Sequence, residues 1–194
     1  MAGDGVASTR ERILDATLDV VAVEGLRGMS LEAVAGKAGV SRQTVYRHFG
    51  SRAQLIQQVV LREERRLVDY ALVRTAGHAT LRASLQAGLE ACLTEARKHP
   101  LIKPLLETEP GELLPYLLGP RQPVLGAAIE GVVEVVAQLV PGLSEADRTV
   151  ATDAGVRLAI SHVISPSSEP DSTVAAQLAD LVVTWVEARM AADA

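Results

Sequence analysis

Aromatic residues are scarce in this chain: one Trp, one Phe and three Tyr make up 3% of its 194 residues. Yet 48% of the sequence is apolar, so disorder is excluded and a core must be built from Leu, Val and Ala. Such a composition favours close-packed helices over a β-sandwich. Cys92 is the single cysteine, which excludes an intrachain disulfide and a cysteine zinc cluster. It falls with Leu85, Leu89 and Ala96 on one helical face and reads as a core thiol. No apolar run reaches the ~18 residues of a membrane span. Met1-Ala2-Gly3-Asp4-Gly5 lacks a charged-then-apolar targeting pattern, so a cytoplasmic protein with no membrane partner is expected.

Catalytic constellations are missing as well. No Gly-x-Ser-x-Gly and no phosphate-binding loop occurs. His48, His78, His99 and His162 show no metal-ligand spacing, and Ser161 and His162, as neighbours on a helix, do not face each other. Glu107 and Glu109 lie beside prolines and do not form a convincing acid–base pair. No enzyme activity, cofactor or metal is expected. Strong positive charge is also lacking: the formal net charge is −5. Its distribution is uneven. Residues 1–52 hold seven Lys/Arg against six Asp/Glu, and residues 53–194 hold twelve against eighteen. The acidity therefore belongs to the C-terminal part.

The most informative stretch is Val40-Ser41-Arg42-Gln43-Thr44-Val45-Tyr46-Arg47-His48-Phe49. Ser41 is a natural N-cap, and Val40 with Val45 has the N′/N4 spacing of a hydrophobic staple. A helix of about two turns follows. Its Val45 and Phe49 point inward, leaving Arg42, Gln43, Thr44, Tyr46, Arg47 and His48 outside. Phosphates and base edges suit such a donor-rich face. The preceding segment reads as a second short helix, capped by Ser30, with Leu31, Val34, Ala35 and Ala38 on its apolar face. Gly39 can take the left-handed conformation that ends it. Helix, Gly-containing turn and helix make a helix-turn-helix unit.

Ser30-Leu31-Glu32-Ala33-Val34-Ala35, then Ala38-Gly39-Val40-Ser41, Thr44-Val45-Tyr46-Arg47-His48-Phe49 and Ser51-Arg52-Ala53-Gln54-Leu55, resemble the N-terminal domain of the TetR family of bacterial repressors. The likeness runs from about Arg10 to Leu55, with Arg52 standing where the family usually has Lys. It implies phosphate contacts from Thr44, Tyr46, His48 and Arg52, and base contacts from Arg42, Gln43 and Tyr46, with Arg47 able to do either. The caps Ser30 and Ser41 complete the candidate DNA-binding set.

Elsewhere the pattern is helical throughout. Ser8 with Glu11 opens a helix to about Val23, and Gly25 and Gly28 bracket its end. Ser51 with Gln54 opens a long helix that crosses the boundary between a helix-turn-helix domain (1–52) and a helical ligand-binding and dimerisation domain (53–194). Within it, Arg62-Glu63-Glu64-Arg65-Arg66 reads as a solvated charge run. A helix over Leu81 to Lys98 follows. Then six of the nine prolines fall between Pro100 and Pro123, breaking an apolar stretch into short pieces. Helices are expected over Val124–Val140, Ser144–Ile164 and a final segment, making about nine in an all-α fold.

The family resemblance gives these parts roles. A small apolar or amphipathic effector is expected against the broken stretch, with Leu101, Leu105, Leu114, Tyr116, Leu117 and Ile129 as candidate lining residues. The last two helices are expected to pair with their copies in a homodimer through Ala151, Gly155, Leu158, His162, Leu178, Leu181, Val182 and Trp185. The implied function is a dimeric transcriptional repressor on a near-palindromic operator. A DNA-binding regulator with no ligand, and a helical enzyme or adaptor with a vestigial helix-turn-helix, are the alternatives.

Overall fold

The computed structural model describes residues 8–118 and 123–192. Among these residues there are ten helices and no strand: α1 (Thr9–Gly28), α2 (Leu31–Ala38), α3 (Arg42–Phe49), α4 (Arg52–Thr75), α5 (Leu81–Lys98), α6 (Ile102–Thr108), α7 (Pro110–Leu118), α8 (Pro123–Leu139), α9 (Glu145–Ile164) and α10 (Asp171–Ala192). One more helix is present than expected because the proline-rich stretch makes two. Pro104 and Pro110 sit in first turns, where a missing N–H leaves no intrahelical bond unmade; Pro115 lies inside α7. Pro120 is outside the described residues.

The serine caps behave as the sequence indicates. Ser8, Ser30, Ser41 and Ser51 accept from the backbone N–H of Glu11, Ala33, Thr44 and Gln54. Gly39 adopts φ 65°, and the bonds Val40 N–H to Ala35 O (3.0 Å) and Gly39 N–H to Gly36 O (3.2 Å) close a Schellman turn between α2 and α3. α1 runs further than expected. It passes Val23, breaks at Gly25 (φ 73°, ψ 174°) and resumes for one more turn.

Val45 and Phe49 of α3 are buried with Ile13, Leu14, Val34 and Leu55 in a core shared by α1 to α4. That core does not stop at the helix-turn-helix unit. Leu101, Leu105 and Leu113 belong to it, so the broken helices pack directly against the N-terminal unit. α5 packs between α4 and α10, and α8 packs between α4 and α9. Gly88 allows the α4–α5 approach: a Cβ there would lie 2.7 Å from Thr75 Cγ2.

Candidate nucleic-acid interface and effector cavity

On α3, Arg42, Gln43, Tyr46, Arg47 and His48 are exposed, and Thr44 is half-buried beside its cap, with 2.9 Å between the Ser41 and Thr44 hydroxyls. Tyr46 is 52% exposed, although large apolar rings are normally covered. Arg42 extends toward α2 and pairs with Glu32 at 2.7 Å. Arg10 lies over the Phe49 ring at 5.3 Å, and Arg12 donates to the Ala38 carbonyl (2.6 Å), fixing α1 against both short helices. Ser30 and Ser41 act as caps here, holding the helix ends.

Arg52 departs from the expected phosphate role. Its guanidinium turns inward, donating through Nε to the Met29 carbonyl (2.9 Å) and through Nη2 to the Leu26 carbonyl. These are carbonyls at the end of α1, and a charged fork satisfies them well. The same turn is held from the other side. Glu109, between α6 and α7, accepts from the N–H of Leu26 (2.6 Å) and Arg27 (3.2 Å), while Arg27 pairs with Glu112 at 3.2 Å. Glu109 thus caps the turn that restarts after Gly25. A Cβ on residue 25 would meet its Oε1 at 2.6 Å, on a backbone of positive φ.

Beneath this unit lies an apolar cavity of ≈ 250 Å³. The long inner stripe of α4 forms one wall, with α5, α8, α9 and α10 around it. Lining residues of α4 run from Ile56 to Thr75, about 28 Å along that helix at 1.5 Å per residue. Of the expected lining residues, Leu101 and Leu105 are present. Leu114 and Ile129 are not in the wall; Leu113 and Ala128, one position earlier on their helices, are. Tyr116 packs instead against the N-terminal core, where burial, opposed by the nearby Arg52 charge, raises its pKa. The side chain of Leu117 lies outside the described residues.

The charge run on α4 is not simply solvated, and its role escaped the sequence. Glu63 and Glu64 line the cavity together with His99. Arg62 is only 12% exposed in its side chain and reaches Asp15 (2.8 Å) and Glu11 (3.3 Å) on α1. Glu63 accepts from Arg62 and Arg66, each at 2.9 Å, and lies 3.5 Å from His99 Nε2. Burial works against its charge, but the His99 contact and both arginines hold its pKa below the ordinary value. Glu64 has no hydrogen-bond partner among the described residues, and burial pushes its pKa up to about 7. Burial and the Glu64 charge raise the Cys92 thiol to about 11; it lines the cavity as an inert group. A helical period of 3.6 could have flagged Glu63 and Glu64, since Ile56, Val59, Val60, Leu67, Val68 and Ala71 continue their face.

The residues expected at a dimer interface divide. Leu158 and Leu181 are exposed, at 39% and 62%, and His162 and Trp185 are half-buried. Ala151 and Leu178 are buried within the chain, Leu178 against Leu93 and Val174. Gly155 and Val182 face the cavity.

A helix-turn-helix with a polar, uncovered recognition face, set on an all-helical body, defines a DNA-binding transcriptional regulator. Residues 13–59 match the model of bacterial regulatory proteins of the tetR family, and residues 80–184 that of the bacterial tetracyclin repressor C-terminal domain. The chain belongs to the TetR family. It is 33% identical over 189 residues to the HTH-type transcriptional regulator AlkX of Mycobacterium tuberculosis, covering 93% of this chain and 86% of that protein. It is 26% identical over 138 residues to the repressor DrrR1 of Streptomyces coeruleorubidus, covering 71% and 46%. Among solved structures, the TetR family repressor AlkX from Dietzia sp., implicated in biodegradation of n-alkanes, superposes with a TM-score of 0.80 at 22% identity, covering 97% of this chain and all of that one. The repressor QsdR of R. erythropolis gives 0.68 at 17%, covering 92% and 94%.

Proposed function

We propose that this protein is a homodimeric repressor released from a near-palindromic operator by a small, linear, aliphatic effector. The observation that carries the reading is the double role of α4. Its first turn supports the recognition unit through Leu55, and its next five turns form the cavity wall. A molecule that fills the cavity bears directly on the helix supporting the DNA-reading unit, and needs only a few kcal/mol of preference for one arrangement to shift the population. The almost wholly hydrocarbon wall suits an alkyl chain, and the Dietzia AlkX repressor, which shares the fold, is itself implicated in biodegradation of n-alkanes.

Arg42, Gln43 and Tyr46 read base edges, with Thr44, Arg47 and His48 on phosphates; Arg52 acts by positioning. The two recognition helices lie about 34–36 Å apart on one face of the duplex. The exposed stripe Val150, Ala154 and Leu158 on α9, with Leu181 on α10, pairs with its copy.

Fluorescence anisotropy on the intergenic DNA flanking its gene tests this. Arg42→Ala is expected to cost about 1–3 kcal/mol per half-site on the operator and much less on scrambled duplex. Saturating n-alkane or alkanol is expected to release the wild-type protein. If these compounds neither bind nor release it, the effector reading fails while DNA recognition stands.

A further inference from the structure

One residue beside the DNA-reading face works against general DNA affinity. Between Arg27 and Arg62 the sequence holds four cations and a single acidic residue, Glu32. Glu32 stands exposed in the first turn of α2, and its carboxylate lies 2.7 Å from Nη1 of Arg42, the leading residue of α3. The other three cations are placed differently. Lys37 pairs with Asp19 of α1 at 3.2 Å, and Arg52 is turned in to the Met29 carbonyl. Arg47 is exposed on α3 and has no ion pair among the described residues. Of the two arginines on α3, Arg42 alone is held by a carboxylate. A carboxylate at such a surface repels any phosphate that approaches, so it lowers affinity for DNA of every sequence.

The structure assigns Glu32 as a specificity-determining residue that acts through Arg42: it withholds the guanidinium from phosphate and leaves it available to guanine. This rests on the DNA-recognition reading above and deepens it. The ion pair is made at Nη1, and Nε and Nη2 of Arg42 have no partner among the described residues. Those two donors are one edge of the guanidinium fork, the edge that the O6 and N7 acceptors of a guanine can take bidentately. The base acceptors are neutral, so an Arg42 seated on guanine can keep its carboxylate. A phosphate is an anion: it competes with Glu32 for the same charge and also meets Glu32 as a like charge. Glu32 therefore weakens the phosphate contact, which every sequence offers, more than the guanine contact, which only a site in register offers. A group that penalises the wrong site raises selectivity, because selectivity is a difference of affinities. In the free protein the pair contributes little to stability, since both side chains are 61% exposed. Docking on DNA removes water around it, and the pair strengthens where base and phosphate compete.

The experiment is fluorescence anisotropy of the full-length protein on the intergenic duplex and a scrambled duplex, each over a salt series, for the wild type, Glu32→Ala, Arg42→Ala and the double variant. Both side chains are exposed, so all four proteins are expected to fold. Glu32→Ala is expected to tighten binding to scrambled DNA and to narrow the ratio of intergenic to scrambled affinity by about tenfold. Its plot of log K against log salt on scrambled DNA should steepen by about 1.8 for a dimer, one phosphate gained per subunit, while the slope on intergenic DNA stays as it was. Any carboxylate removed near DNA raises affinity, so the decisive result is the double variant. In the Arg42→Ala background, Glu32→Ala is expected to change both affinities by one factor and leave their ratio alone. The assignment is overturned if Glu32→Ala by itself leaves the ratio unchanged, or if it narrows the ratio as much without Arg42 as with it. A wild type that prefers intergenic DNA, with the preference lost in Arg42→Ala but kept in Glu32→Ala, overturns this inference alone. A wild type that binds both duplexes equally overturns the DNA-recognition reading and this inference with it.

Discussion

Arg52 and Glu64 are polar residues whose roles the tertiary structure changed. Arg52 binds the Leu26 and Met29 carbonyls. Its removal leaves two partly buried acceptors without their charged donor, and Arg52→Ala is expected to destabilise the fold by about 2–3 kcal/mol. Denaturant unfolding measures this, and a change within a few tenths of a kcal/mol would return Arg52 to a phosphate-binding role. Glu64 has the opposite sign. Below about pH 4.5 it is protonated both folded and unfolded. As pH rises toward 7 the unfolded chain releases its proton first, so stability falls across this window and the full penalty is present above it. Because the side chain is half-buried, solvent screening reduces the penalty to about 1 kcal/mol. Glu64→Gln is expected to be more stable than the wild type at pH 8 by that amount and equal to it near pH 4.5. A difference that does not vary with pH would contradict the assignment.

The α6–α7 pair is the element whose placement matters most. Seven- and nine-residue helices are too short to persist alone and form because Leu105 and Leu113 are buried in the N-terminal core. Glu109 adds a directional contact by capping the turn after Gly25, so the cavity-lining segment is joined to α1 by hydrogen bonds as well as packing. Glu109→Ala is expected to cost about 1 kcal/mol, as for a lost helix cap. Amide hydrogen exchange gives the sharper readout: the Leu26 and Arg27 amides should exchange faster while those of α3 stay protected. If all of α1 to α3 exchanged faster together, Glu109 would be a general stability residue and not a local clamp.

Among the exposed apolar side chains of the described residues, Val150, Leu158 and Leu181 lie on the last two helices, where the homodimer is proposed. Leu158→Asp with Leu181→Asp places unpaired charge in that interface without touching the chain's own core. Sedimentation should then give a folded monomer with operator binding lost. Leu178→Asp is expected to unfold the chain, because Leu178 is buried against Leu93. A double variant that stays dimeric would move the interface elsewhere.

Local chemistry was legible in the sequence. The capping serines, Gly39, the burial of Val45 and Phe49 and the exposed face of α3 all depend on residues within a few positions of one another, and short-range periodicity and cap spacing specify them. The helix over Leu81–Lys98 was readable for the same reason. Which apolar face meets which neighbour was decided only by the packed structure. Leu178 and Leu181 lie three positions apart on one apparent stripe, yet one is buried against α5 and the other faces outward. Leu113 and not Leu114 reaches the cavity, because a single step turns a helix by about 100°. Arg52, Glu109 and Arg62 find partners 23 to 83 residues away. No local pattern encodes such pairings, since the energy that selects them arises only when distant helices come together.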